Sequence, residues 1–592
     1  MSKQILSGNE AVARGAWEAG VRVAAAYPGT PSTEILENIA EYKDDLYATW
    51  ANNEAIAAEL AFGAAVGGMR SLTAMKHVGM NVAADPIFSG AYAGINGGMM
   101  IVSADDPGCH SSQNEQDNRL YAEHAKLIML EPSDSQECLD FTKAAYELSE
   151  KYDMLALLRM TTRVCHSKSV VETGERTAPE IKPYNGDWTK YVVLPVNARR
   201  RHILLEQSIA KLREEGYSSP LNRIEMNEGA TVGVISSGVS YQHAREAFGD
   251  TVSYLKLGIT FPICGKLVKE FAAKFGKVVV IEEGEPYLST RIKAMGVAAE
   301  APDFIQGELN AAHIRAAFGI AEPGEKVDVS GLQDAPARPP VLCAGCPHRG
   351  FFYALSKRKG KFVGVGDIGC YTLGVNPPFN GMDICICMGS GFAIPIGLSR
   401  ALEAQGDTRR VFGFVGDSTF FHSGFNSLVD AVHQKSNVCL VVLDNSITAM
   451  TGHQENAHTE KNLQGYQVPA IPIEKMVLAT GLAPERLIEA DPVDQDAIGR
   501  AIDAGIANEG VTVIITRRPC VLLKEEIKAR GTKHCEVSAE KCVGCKACMK
   551  IACPALAFDE AQKKAYVADT ANCTACGLCK QMCKVGAIGE VQ

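Results

Sequence analysis

The chain has 592 residues, of which 46% are hydrophobic and 22% charged, with a formal net charge of -10. That composition belongs to ordinary globular domains, about four of them by length, and the acidic balance, with no basic stripe against it, excludes nucleic acid as an expected partner. No apolar run approaches the ~18 residues of a membrane span, Met1 to Glu10 lacks the apolar core of a signal peptide, and 20 cysteines without such a signal imply reduced thiols in a cytoplasm rather than a disulfide framework.

Residues 1–183 alternate helical and strand-like runs, as in a doubly wound α/β domain. Asn9 to Ala19 reads as a helix and Val21 to Tyr27 as a strand. Pro28-Gly29-Thr30-Pro31-Ser32 reads as a turn capping the helix that starts near Thr33. In the next helix, Asn53 to Val66, positions 54, 57, 58, 61 and 65 share one side and read Glu, Ala, Ala, Ala, Ala. Glu54 therefore ends a stripe where backbones approach closely and water is scarce, unless it is an exposed first-turn carboxylate held by the helix dipole. Glu59 falls on another face. The strand Met99 to Ser103 then leads into a polar stretch, Asp105 to Arg119, too long for a minimal turn, though a solvated surface loop reads the same way.

Thr177 to Arg201 forms a Pro-rich polar linker. Residues 190–325 again alternate strands (Thr231 to Ser236, Lys277 to Ile281) with helices, without a cluster of catalytic residue types. Glu282-Glu283-Gly284-Glu285 closes a strand there, either in solvent or at a domain contact. Pro323 to Pro340 is the clearest linker in the chain.

In residues 338–530, Cys343-Ala344-Gly345-Cys346-Pro347-His348-Arg349 could start a zinc site, but four ligands at zinc spacing are not evident nearby. Gly389-Ser390-Gly391 precedes an apolar helix from about Phe392 to Ala404, so backbone N–H groups can face an anion. Val411 to Val415 reads as a buried strand ending at Gly416-Asp417-Ser418. After a helix, Phe425 to Val432, a second buried strand from Val438 to Leu443 ends at Asp444-Asn445. Asp417 and Asn445 thus leave neighbouring parallel strands at one sheet edge, where open α/β sheets bind ligands. A carboxylate and a carboxamide there suit a hard divalent cation, although both pairs are also ordinary turn pairs.

Eight cysteines punctuate residues 535–592: Cys542, Cys545, Cys548 and Cys553 before Pro554, then Cys573, Cys576, Cys579 and Cys583. Three thiolates separated by two residues each can wrap one iron–sulfur cubane, and a fourth from the other half closes the second. Zinc favours pairs separated by a longer loop.

Gly416-Asp417-Ser418 with Asn445 resembles the thiamine diphosphate signature, with Ser418 in place of the usual last Gly. Tyr27 to Ser32, Asp105 to Gly108, Ser111 to Asp117 and Cys343 to Arg349 look like the motifs of 2-oxoacid:ferredoxin oxidoreductases, and the tail is similar to a bacterial two-cluster ferredoxin, with four residues rather than three before Cys553. The resemblance covers nearly the whole chain. It implies two thiamine diphosphate domains (1–183 for the pyrimidine, 338–530 for the diphosphate), a domain at 190–325 like the third domain of transketolase-like enzymes, and a ferredoxin domain at 535–592. It implies further that Asp417, Asn445 and the carbonyl of Ile447 hold Mg2+ on the diphosphate, with Gly416, Ser418, Gly389 and Ser390 beside it. Glu54 would hydrogen-bond the aminopyrimidine ring, Thr30 would lie near the substrate carboxylate, and Cys346 and His348 would reach the cofactor pocket.

By the same resemblance Cys542, Cys545, Cys548 and Cys583 ligate one 4Fe-4S cluster, and Cys573, Cys576, Cys579 and Cys553 the other. Thiamine diphosphate makes a carbanion from a 2-oxoacid and clusters accept electrons singly, so both on one chain imply oxidative decarboxylation. The domain order is most similar to the indolepyruvate branch, which converts an aryl pyruvate, coenzyme A and oxidised ferredoxin to an aryl-acetyl-CoA, CO2 and reduced ferredoxin. That branch uses a separate β subunit, and its clusters imply an oxygen-sensitive enzyme. Two other readings stay open: a non-oxidative thiamine decarboxylase or carboligase, and an electron carrier whose thiamine fold is inactive.

Overall fold

The computed structural model describes residues 2–591 apart from 178, 185, 325, 326, 334 and 337. The chain forms two compact units, Met1–Ser330 with Leu463–Tyr466, and Gly331–Asn462 with Gln467–Gln592. Their boundary falls in the expected linker Pro323 to Pro340, four residues of which lie outside the described set.

The first unit is built on a seven-stranded sheet in the order Ile259–Phe261, Ile128–Leu130, Ala156–Thr161, Met99–Asp105, Ser71–Lys76, Val23–Ala26 and Tyr47–Trp50, parallel except at the first pair. Met99–Asp105 and Ala156–Thr161 are buried along their whole length, as expected of central strands covered by helices on both faces. A second sheet of four strands holds Lys277–Ile281, Val232–Ser237, Ser253–Leu257 and, antiparallel, Arg223–Glu225. The Thr177 to Arg201 linker is shorter than its composition implies, because a helix starts inside it at Pro195 and runs to Glu215. Proline at the first helical position has a preset φ and no lost hydrogen bond, so here it opens a helix rather than breaking one. Residues 178 and 185 of that linker lie outside the described residues.

The second unit carries a six-stranded, wholly parallel sheet: Ile384–Cys385, Phe362–Gly366, Arg410–Gly416, Val438–Asp444, Thr512–Arg517 and Leu487–Ala490. Arg410–Gly416 and Val438–Asp444 are buried at every residue and pair in register from Val411 against Val438 to Gly416 against Leu443. Two apolar clusters, one around Phe351, Phe352 and Phe414 and one around Phe392, Val415 and Phe420, hold the sheet.

Among the described residues the cysteine-rich tail adds two short antiparallel pairs, His534–Val537 with Ile588–Val591 and Leu556–Asp559 with Lys564–Val567, and short helical turns at Cys548–Ile551 and Leu578–Met582. Among the described residues no helix is long and apolar enough to cross a membrane.

Candidate active site

Asp417 and Asn445 stand where the two central strands end. Asp417 is 2% exposed and Asn445 7%. One Asp417 oxygen accepts the Asn456 amide at 2.9 Å. The Asn445 amide lies between the other Asp417 oxygen and the Ile447 carbonyl. With its oxygen turned inward three acceptors face one another; turned over, its nitrogen donates to them at 3.2 and 2.7 Å. The three groups named from the sequence therefore meet at one point, a donor set that fits a hard cation. Burial, with Asp444 nearby, pushes the Asp417 carboxyl up to about 7, against the opposing pull of the Asn456 amide and of His458, the expected response of a carboxylate in a dry site where desolvation and a like charge outweigh its partners.

Asp444 itself turns away. It accepts Arg517 at 2.8 Å and the Ser446 amide at 2.9 Å, and pairs with His458 at 3.3 Å. These partners hold its carboxyl below the usual range against the cost of burial, and Asp444 pushes His458 up to about 9.

The glycine turn before Ser390–Ala404 sits beside this edge. Gly389 has φ 86°, and a Cβ there would lie 1.8 Å from the hydroxyl of Ser423, in the turn that follows Asp417. A Cβ on Gly391 would lie 2.1 Å from the Phe414 carbonyl. Both positions need glycine for close approach. The Gly389 N–H, expected to face an anion, donates at 2.7 Å to Asp367, whose other oxygen accepts the Tyr371 hydroxyl. Asp367 is fully buried and burial pushes it up to about 8. Neither Asp367 nor Tyr371 was assigned a role from sequence, although Gly366-Asp367 ends a strand just as Gly416-Asp417 does.

His348 lies in the first turn of Pro347–Ser356, 2% exposed and edge-on to Tyr371 at 5.8 Å. Its Nε2 is buried without a hydrogen-bond partner, and burial pushes the ring down to about 4. A buried orphan nitrogen of this kind fits a pocket meant for another polar molecule. Cys346, half-buried, is the residue before that helix, and its thiol is pushed up.

In the first unit Glu54 opens the helix Glu54–Val66, whose buried face is Glu54, Ala57, Ala58, Ala61 and Ala65, the stripe expected from the sequence. Glu54 is 6% exposed, and a Cβ on Gly79 would lie 2.8 Å from its Oε1. Glu59 is exposed. Thr30 is half-buried. Ser32 does not cap the following helix, since its hydroxyl donates to the Gly29 carbonyl at 2.8 Å. Lys76, unassigned from sequence, packs its stem against Gly29 and donates to the Ser111 carbonyl at 2.9 Å.

The polar loop is pinned rather than merely solvated. Asp106 accepts the Ser111 amide and the Ser112 hydroxyl at 2.9 and 2.6 Å, and Asn118 donates to Ser103 at 2.7 Å. Glu282, open between solvent and contact in the sequence, is buried and accepts Arg119 at 3.0 Å.

The tail gathers its cysteines into two groups. Cys542, Cys545, Cys548 and Cys583 line one cavity with Val537, Phe558 and Ile588. Cys553, Cys573, Cys576 and Cys579 line another with a fifth thiol, Cys535, whose N–H donates to Cys573 Sγ at 3.2 Å. Cys535 lies outside the spacing motif, so only the pairing of His534–Val537 with Ile588–Val591 brings it there. Among the described residues no three His, Cys, Asp or Glu side chains close on a single ion. Four cysteines lining one cavity are a donor set that fits an iron–sulfur cluster.

Residues 14–201 match the thiamine-diphosphate-binding family of pyruvate flavodoxin/ferredoxin oxidoreductases, and residues 367–516 match the C-terminal TPP-binding domain of thiamine pyrophosphate enzymes. Indolepyruvate oxidoreductase subunit IorA of Thermococcus kodakarensis is 39% identical over 98% of this chain and 96% of its own length. The chain belongs to the indolepyruvate oxidoreductase family. The IorA subunit of Archaeoglobus fulgidus is 38% identical over 99% of this chain and 97% of its own. A more distant relative, 2-oxoglutarate synthase subunit KorA of Methanothermobacter thermautotrophicus, is 27% identical over 50% of this chain and 91% of its own length. As a member of this family the protein is a thiamine-diphosphate-dependent 2-oxoacid:ferredoxin oxidoreductase, and its two matched domains are those that bind thiamine diphosphate. The first matched range holds Thr30 and Glu54. The second holds Asp367, Gly389, Asp417, Asn445 and Ile447, and neither range reaches the tail.

Proposed function

We propose that this indolepyruvate oxidoreductase relative oxidatively decarboxylates aryl pyruvates such as indolepyruvate with coenzyme A. The electrons leave through two iron–sulfur clusters in the tail to a ferredoxin, and a separate β subunit completes the enzyme. The observation that carries this reading is that one compact unit holds both the Asp417, Asn445 and Ile447 donor set and two thiol-lined cavities. A non-oxidative decarboxylase has no use for the second.

Asp417, Asn445 and the Ile447 carbonyl would hold Mg2+ against the diphosphate, which also settles the Asp417 carboxylate in its charged form. Gly416 and Ser418 flank Asp417 there. Gly389 and Ser390 open the helix beside it, and Asp367 fixes that turn by taking the Gly389 amide. When bound, thiamine diphosphate would supply the electron sink that 2-oxoacid decarboxylation needs. Glu54, a buried carboxyl at the head of an alanine stripe, would hold and release a proton for the cofactor's aminopyrimidine ring. Thr30 offers a hydroxyl to the substrate carboxylate. His348 stays neutral in its apolar surroundings, so its Nε2 is available to a polar group rather than repelling a cation. In the tail Cys542, Cys545, Cys548 and Cys583 would ligate one 4Fe-4S cluster, and Cys553, Cys573, Cys576 and Cys579 the other.

The test is an anaerobic assay of the chain, with and without a candidate β subunit, against a panel of 2-oxoacids. Acyl-CoA and reduced ferredoxin formed together from aryl pyruvates are expected. Aldehyde released without coenzyme A or ferredoxin would mean a decarboxylase, and anaerobically purified protein without thiamine diphosphate would mean an electron carrier.

A further inference from the structure

The Cys343 to Arg349 turn has two sides, and they touch different things. On one side His348 packs against Tyr371, which bonds Asp367 and through it the Gly389 amide, so this side borders the candidate cofactor pocket. On the other side Gly345 and Arg349 form part of the wall of one tail cavity, the one lined by Cys535, Cys553, Cys573, Cys576 and Cys579.

The contact is built rather than incidental. Arg349 is 2% exposed and donates to the carbonyls of Ile551 at 2.8 Å and Ala552 at 2.5 Å, the residues just before Cys553. It also holds the Leu342 and Cys343 carbonyls of its own turn. Gly345, at φ 72°, lets Thr574 approach so closely that a Cβ would lie 1.8 Å from the threonine hydroxyl. Thr574 follows Cys573 directly. The other cavity, that of Cys542, Cys545, Cys548 and Cys583, is walled by tail residues alone, and Val543 and Val585 on its rim are 67% and 46% exposed.

We propose that Arg349 is a positioning residue that makes the cavity of Cys553, Cys573, Cys576 and Cys579 the tail's receiving site for electrons, leaving the cavity of Cys542, Cys545, Cys548 and Cys583 to pass them on. The assignment rests on the proposed oxidative function. Conversion of a 2-oxoacid anion and coenzyme A to acyl-CoA and CO2 releases one proton and two electrons. The thiols of each cavity would hold a one-electron carrier, so the two electrons would pass singly from the receiving cavity to the outer one, and two ferredoxins would be reduced for each acyl-CoA. Arg349 keeps its charge under all conditions of the reaction. A fixed cation beside the receiving cluster favours its reduced, more negative state and raises its potential relative to a cluster without one.

The test uses the full chain with its partner subunit, purified without oxygen, as wild type and as Arg349→Met, Arg349→Lys, Cys576→Ala and Cys545→Ala. Iron content and electron paramagnetic resonance under potentiometric titration identify each cluster by the signal that its cysteine variant loses. In Arg349→Met the signal missing from Cys576→Ala shifts to lower potential, the signal missing from Cys545→Ala stays in place, and Arg349→Lys restores most of the shift. In freeze-quenched wild type mixed with 2-oxoacid and coenzyme A, the signal missing from Cys576→Ala rises first. In Cys576→Ala the remaining cluster is reduced by dithionite but not by substrate within a turnover. The opposite order of appearance, or equal shifts of both signals in Arg349→Met, overturns the assignment. Should Arg349→Met fail to fold, the order of appearance in wild type and the two cysteine variants decides alone. Wild-type protein with thiamine diphosphate and no tail iron overturns the underlying function instead, which separates the two failures.

Discussion

The parallel sheet of the second unit and the tail that follows it place ligating groups by opposite means. In the sheet, two seven-residue strands buried at every position carry Asp417 and Asn445 to one edge, and the apolar clusters around them are built mostly of aromatic and aliphatic side chains. In the tail the paired strands are four residues long, and Cys535, Cys542, Cys548 and Cys579 make up a large part of the buried cluster. A segment of roughly 60 residues with so little other apolar surface is of the size that uses metal to complete its core. On the proposed function, the difference teaches that ligating groups in the sheet are held by a fold with its own apolar core, whereas those in the tail would be part of what folds it.

The largest expected effect tests the sheet side. Asp417→Ala removes the one carboxylate at the point where Asn445 and Ile447 meet, so the variant is expected to lose thiamine diphosphate outright while the sheet stays folded and the tail keeps its iron. Cofactor analysis, circular dichroism and iron content on one preparation decide it. Retained thiamine diphosphate moves the cation site elsewhere.

A loss of about a hundredfold to ten-thousandfold is expected from Glu54→Gln, the range of a missing general acid–base. The amide keeps the shape and a hydrogen bond, so cofactor should still bind, while deuterium exchange at the thiazolium C2 collapses. Normal exchange would transfer the role, with Glu59 next in line despite its exposure.

Smaller, because one of two clusters survives, is the effect of changing the fourth cysteine of each tail motif. The cavities pair Cys553 with the second triad and Cys583 with the first. Cys553→Ala should therefore resemble Cys576→Ala in its spectrum, and Cys583→Ala should resemble Cys545→Ala, with thiamine diphosphate kept in both. If the tail is folded by its clusters, each variant should also become protease-sensitive in residues 535–592 while the sheet remains resistant. Cys553→Ala matching Cys545→Ala would break the crossed arrangement, and an unchanged tail after iron removal would break the comparison itself.

How far the sequence is legible follows the same division. Buried parallel strands are short apolar runs with turn residues at their ends, so Asp417 and Asn445 could be placed together from the string alone, and the alanine stripe behind Glu54 follows from the helical repeat. Cysteine spacing marked the tail. What stayed hidden depends on contacts between distant segments. Cys535 joins its cavity through a strand pair spanning most of the tail, Asp367 acquires its role from a glycine on another element, and Lys76 reaches Ser111 across a loop. The helix from Pro195 was hidden for a local reason: proline and polar residues look like a linker until a helix is seen to start on them.

The smallest expected effect sits where the two regions meet. His348 belongs to the turn that borders the sheet on one side and the tail on the other, and burial lowers it from the ordinary 6.5 to about 4. Between those values the unfolded chain binds a proton that the folded chain refuses. Stability contributed at this position is therefore complete above about 6.5, falls as the pH drops, and levels off near 4. The cost, on the order of a few kcal/mol at its fullest, belongs to the folded sheet and needs no iron. Cofactor-free wild type and His348→Phe, unfolded with denaturant at several pH values between 4 and 7, should diverge only in that window, with the variant the flatter of the two. Phenylalanine keeps the edge-on contact with Tyr371 and has no proton to refuse. Parallel pH profiles would show that water or a charge reaches His348 in solution, and that the turn is less firmly seated between sheet and tail than its burial indicates.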